Sequence, residues 1–90
     1  MLDKAVKTAK FEQDICEIDN VLNAQIFDRA IAENIIRNHN KTDEIVAIIN
    51  SPLRQGFVTF EQASDDMVKN NLIMIRQVLQ AKLVTEQNNG

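Results

Sequence analysis

Phe11-Glu12-Gln13-Asp14-Ile15-Cys16-Glu17-Ile18-Asp19-Asn20-Val21-Leu22, continued by Ile26, Ala30, Ile31 and Ile35, is the stretch on which the fold turns. Its apolar residues recur every three or four positions, which puts them on one helical stripe. Asp14, Glu17, Asn20, Asn23, Asp28 and Asn34 fall on the opposite face. No Gly or Pro occurs before Pro52, and these are the two residues that interrupt helices most. The pattern predicts a helix over residues 3–38, with Asp19 or Asn20 able to cap a new helix inside it.

Downstream, Asn38-His39-Asn40-Lys41-Thr42 interrupts the pattern, because such side chains bond locally to the backbone. Asp43 and Glu44 then suit the positive end of a short helix over residues 44–49. Ser51-Pro52-Leu53-Arg54-Gln55-Gly56 reads as a turn. Thr59-Phe60-Glu61-Gln62 matches a capping box, so the last helix is predicted over residues 60–84. Its core face would be Phe60, Ala63, Met67, Leu72, Ile75, Leu79 and Leu83, widened by Met74 and Val78. The expected fold is all-α: an antiparallel bundle of long, short and long helices forming one domain over residues 1–84, with residues 85–90 a frayed polar tail.

Helix length bears on assembly. A continuous helix over residues 3–38 would span about 54 Å, whereas a compact 90-residue domain is roughly 30 Å across. Either the helix breaks, or the molecule is elongated and a second copy covers its apolar stripe. The expectation is an intertwined or side-by-side homodimer, with Ile15, Ile18, Leu22, Ile26, Leu72, Ile75 and Leu79 at its interface.

Composition excludes several functions. One Cys among 90 residues allows no disulfide framework and no multi-Cys zinc site. A net charge of −3 argues against a strongly basic nucleic-acid binder. The longest apolar run, Ile45 to Ile49, is far shorter than the ~18 residues of a membrane span, and no signal-peptide pattern opens the chain. A cytoplasmic location is expected, which suits an unpaired Cys16.

No constellation of chemistry emerges. Cys16 and His39 are the only thiol and imidazole, and a Cys/His nucleophilic pair requires direct contact. Cys16 reads as a small buried hydrophobe and His39 as a helix-end residue. Glu61, Asp65 and Asp66 read as a solvated acidic face without a calcium-loop pattern. No phosphate-binding Gly-rich loop is present. A helix-turn-helix with Val68–Asn71 as its turn would present Leu72, Ile73, Met74 and Ile75 to a groove that is read by polar side chains. No metal, cofactor or catalytic residue is assigned.

Ile15-Cys16-Glu17-Ile18-Asp19-Asn20-Val21-Leu22, followed by Ile26 and Arg29, resembles the first helix of the all-helical chorismate mutases. That family has the same long-short-long order and forms an intertwined dimer. The resemblance implies that Arg29 would grip a substrate carboxylate, a pairing suited to a guanidinium, with Lys41 and Gln77 assisting. Glu12 stands where the family has a second arginine, and Asn40 where it has a lysine.

The function expected first is a non-enzymatic protein–protein interaction module, such as a bacterial-type regulator, a chaperone or an immunity or antitoxin-like adaptor. A small chorismate-mutase-like enzyme and a helix-turn-helix DNA regulator are the alternatives.

Overall fold

The computed structural model describes residues 2–40, Leu53 and residues 58–88. Among these it contains three helices and no strand: α1 (Leu2–Asn23), α2 (Arg29–Asn40) and α3 (Asp65–Asn88). The short helix expected over residues 44–49, and the turn over residues 51–56 apart from Leu53, lie outside the described residues.

The predicted helix over residues 3–38 is two helices, and the break falls later than Asp19-Asn20. Asp28 starts α2: its Oδ1 accepts hydrogen bonds from the N–H groups of Ala30 at 3.1 Å and Ile31 at 3.2 Å. The Asp28 carbonyl accepts from Ala32 N–H at 3.1 Å. A carboxylate at this position satisfies donors that no helical carbonyl can reach and faces the positive end of the dipole. Asp19 instead stays inside α1, where it accepts from Arg76 Nη1 of α3 at 2.7 Å.

The break also resets the helical phase. The buried face of α2 is Ala32, Ile35 and Ile36, while Ile31 is 48% exposed and Ile26, in the connecting turn, is 85% exposed. A stripe extrapolated from α1 places both of these inside.

The predicted capping box forms but closes only one turn. Thr59 N–H donates to Gln62 Oε1, and Gln62 N–H to Thr59 Oγ1, each at 3.2 Å. The last helix begins after it: Ser64 Oγ accepts from Met67 N–H at 3.2 Å, and the Ser64 carbonyl from Val68 N–H at 3.1 Å. Asp65 and Asp66 occupy the first turn of α3, where negative charge is favoured. The helix continues past Val84 to Asn88. Residues 68–71 are helical throughout, so the turn required by a helix-turn-helix at that place is absent.

α3 organises the core. Val68, Leu72, Ile75 and Leu79 recur at spacings of four, three and four and are all but fully buried. They pack with Ile18 and Val21 of α1, with Ala32, Ile35 and Ile36 of α2, and with Leu53 and Ala63. Each Val, Leu or Ile side chain among these contributes about 1.5–3 kcal/mol on burial. Asp19 pairs with Arg76, and the turn residue Phe27 lies under the Lys69 ammonium at 5.0 Å. Later residues of α3 thus meet earlier residues of the α1 hairpin arm, so α1 and α3 run antiparallel. α3 packs chiefly along α1 and next along α2, whereas α1 and α2 touch each other least. At ~1.5 Å per residue α1 and α3 are about 33 and 36 Å long, in keeping with overall extents of 43 × 29 × 15 Å.

Asn71 departs from the apolar pattern. It is 1% exposed, and neither its amide nitrogen nor its oxygen has a hydrogen-bond partner among the described residues. Such burial costs about 1–3 kcal/mol. Replacing Asn71 by Leu is therefore expected to raise the thermal midpoint. Ile75→Ala, which opens a cavity in the same seam, should lower stability by about 2–5 kcal/mol. Thermal and urea denaturation of the two variants check both expectations; a destabilised Asn71→Leu would mean that the amide holds a compensating partner.

Candidate functional site

The sparse contact between α1 and α2 leaves an open trough of about 490 Å³ on their shared outer side. Glu17, Asn20 and Val21 line it from α1, and Ala24 from the turn that follows. Asp28, Ile31, Asn34, Ile35 and Asn38 line it from the cap and body of α2. These are helical-repeat positions, at spacings of three and four, so each wall is one face of a helix. Val21, Ala24, Ile31 and Ile35 make the floor apolar. Among the described residues the rim carries two carboxylates and three amides, and no Lys, Arg or His. Ile26 projects from the turn between two lining residues, Ala24 and Asp28.

Arg29, Arg37 and Lys10 are engaged by groups that do not line the trough. Arg29 ties the start of α2 to the segment before α3. Its Nη1 donates to the Ala63 carbonyl at 2.8 Å and to Asp65 Oδ1 at 3.0 Å, and its Nη2 donates to the Phe60 carbonyl. Arg37 stacks over the Phe60 ring at 4.7 Å from its centroid. Lys10 pairs with Asp14 at 3.0 Å within α1. Asp14, on a face expected to be solvated, is only 8% exposed. Its hydrogen bond and then its charge raise the Lys10 ammonium above its ordinary value.

His39 lies near the C-terminus of α2, within electrostatic reach of Asp14, Lys10 and Glu17. Burial lowers its imidazole below the ordinary value. Asp14 opposes that shift, Lys10 adds to it, and Glu17 opposes it more weakly.

The seven residues expected at a dimer interface separate in the structure. Ile18, Leu72, Ile75 and Leu79 serve the core of the chain itself. Ile15 and Leu22 are half-buried against that core, and Ile26 is exposed. Of the residues that the chorismate mutase resemblance singled out, Lys41 lies outside the described residues and Gln77 is exposed on α3. Both terminal nitrogens of Arg29 already donate to oxygens of the chain, which leaves the guanidinium's paired edge engaged by the protein. Cys16 is exposed rather than buried, with the Asn20 amide 3.8 Å from its sulfur. Among the described residues no group of His, Cys, Asp and Glu could hold a metal ion, and no helix is long and apolar enough to cross a membrane. The trough was not anticipated from the sequence. Its only sequence signal was the alternation of Asn with Ile along α2, which reads equally as an ordinary amphipathic face.

No known protein family, curated protein or solved structure matches this chain.

Two outcomes follow from these contacts. Removing the Arg29 guanidinium strands two carbonyls and Asp65, and hydrogen bonds to a charged group contribute about 1.5–3 kcal/mol. Arg29→Ala is expected to lose about 2–3 kcal/mol in urea denaturation, and Arg29→Lys to recover less than half, since a lysine cannot span both carbonyls. A base whose folded value is depressed binds its proton more readily when unfolded. Neutral His39 thus contributes fully above about pH 6.5, and that contribution is lost as pH falls through the unfolded and then the folded value. Denaturation at about pH 7.5 and about pH 5.5 should show this loss in the wild type and a smaller one in His39→Gln.

Proposed function

We propose that this protein is a non-enzymatic interaction module, of the regulator, chaperone or adaptor kind, that receives a helix of another protein in the α1–α2 trough. The observation that carries the reading is the trough itself: an apolar floor between two helices, with Ile31 half-exposed within it. Exposed aliphatic surface rimmed by polar side chains is characteristic of docking surfaces. A third helix lying between two others at the usual 8–10 Å separation would cover it. A cytoplasmic setting belongs to this reading and suits the exposed thiol of Cys16.

The homodimer expected from the sequence is a variant of the same reading, in which a second copy fills the trough. The length argument for it rested on one continuous helix, and the break at residues 24–28 removes that premise. A twofold contact between troughs would also gather Glu17 and Asp28 of both copies into one interface with no cation among its described lining, and like charges disfavour it. We therefore assign the trough to a different chain.

Ile31→Glu is the discriminating variant. It places a charge on the trough floor, while a glutamate at the third position after the Asp28 cap suits the start of α2. Proteins recovered with the wild-type chain are purified and titrated against wild type and variant by calorimetry. The expected result is 1:1 binding that weakens by about 2 kcal/mol or more in Ile31→Glu, as for a central interface residue, with the wild-type chain alone sedimenting as a monomer. Equal affinity for both chains overturns the reading. A concentration-dependent dimer that Ile31→Glu dissociates would give the trough to a second copy instead.

A further inference from the structure

We infer that the helix received by the α1–α2 trough is a cationic amphipathic one, carrying aliphatic side chains on one face and Lys or Arg beside them. This deepens the proposed function and rests on it. The first argument is charge. Among the described residues, Glu17 and Asp28 are exposed on the rim, no cation lines the trough and Glu17 forms no ion pair, although Lys10 and His39 stand within its electrostatic reach. Lys10, Arg29 and Arg76 are held by Asp14, Asp65 and Asp19, and Arg37 and Lys69 lie over Phe60 and Phe27. The described lining of the trough therefore carries net negative charge, which favours an approaching cation.

The second argument is shape. From Asp28 to Asn38 the α2 wall runs about 15 Å, and from Glu17 to the end of α1 at Asn23 the facing wall runs about 9 Å, at 1.5 Å per residue. Three turns of a helix fit that length. The floor residues Val21, Ala24, Ile31 and Ile35 offer aliphatic surface to side chains spaced three and four apart on the incoming helix. The acids lie toward the two sides of this floor, so cations flanking the apolar stripe would reach them. Asn20, Asn34 and Asn38 can both donate and accept, which tolerates polar side chains at the edges. An acidic helix would meet Glu17 and Asp28 as like charges, and a nucleic-acid backbone would meet the same repulsion.

The test uses the full-length, nitrogen-15-labelled chain and two synthetic peptides of about 14 residues, roughly four helical turns. Both carry the same leucine stripe at helical spacing. One has Lys and the other Glu at the remaining charged positions. The expected result is that the Lys peptide shifts the amide resonances of Val21, Ala24, Ile31 and Ile35, and that the Glu peptide binds at least about tenfold more weakly. Added salt should narrow that preference. The double variant Glu17→Gln, Asp28→Asn should abolish most of it while leaving the helical circular dichroism unchanged, because Asn caps a helix as well as Asp. Equal affinities for the two peptides, a preference that survives the double variant, or shifts confined to the Glu61, Asp65 and Asp66 face would overturn the inference. In those cases a partner still lost by Ile31→Glu leaves the proposed function standing, whereas a partner indifferent to Ile31→Glu removes both.

Discussion

Two backbone N–H groups, those of Ala30 and Ile31, converge on one carboxylate oxygen of Asp28, and the shape of the molecule depends on that convergence. Without it, the apolar spacing from Phe11 to Ile35 would favour continuing a single helix of about 54 Å. With it, the chain ends one helix at Asn23, turns over five residues and starts another at Arg29. The residue beside the cap then reaches across the bundle. Arg29 binds the carbonyls of Phe60 and Ala63 and the carboxylate of Asp65, which fixes the start of α2 against the start of α3. A local capping contact is thereby converted into a tertiary one within two residues.

The same geometry explains why a core and a trough coexist in so small a chain. The seam Val68, Leu72, Ile75 and Leu79 takes the inner faces of both α1 and α2. Two helices resting on a third have little left to offer each other, and the space between their outer shoulders stays open. The side chains there reflect this. Ile31 sits one position before the buried Ala32 and is turned outward, and Ile35 is shared between the core and the trough floor. Lys10, Arg29, Arg37, Lys69 and Arg76 are drawn to acids and rings that do not line the trough, and its described rim is acidic although the chain carries only three excess negative charges.

Much of this was legible in residue order. The reciprocal Thr59–Gln62 contact is the one expected from their spacing, and Leu72, Ile75 and Leu79 lie where the helical period puts core residues. The misreadings share a cause. Asp28 has the same three-residue relation to Ile31 as any polar residue on an amphipathic helix, so its capping role is invisible until the chain turns. Ser64 rather than Thr59 caps the last helix, and Val68, whose N–H the Ser64 carbonyl accepts, is buried in the core. Asp14 reads as a solvated acid; in the fold it is 8% exposed, paired with Lys10 and within electrostatic reach of His39.

By itself the sequence determined the helical class, the apolar period of the last helix, the scarcity of catalytic and metal-binding groups, and the presence of capping residues at several places. These follow from local propensity and periodicity, which act over a few residues. The tertiary structure decided which cap is used, which face of α2 points inward, where Arg29 is engaged and that an acidic trough lies between α1 and α2. Those outcomes depend on contacts between residues 30 or more positions apart, such as Arg29 with Phe60 and Asp19 with Arg76. No local pattern encodes such pairs, because their energy exists only once α3 has covered the hairpin.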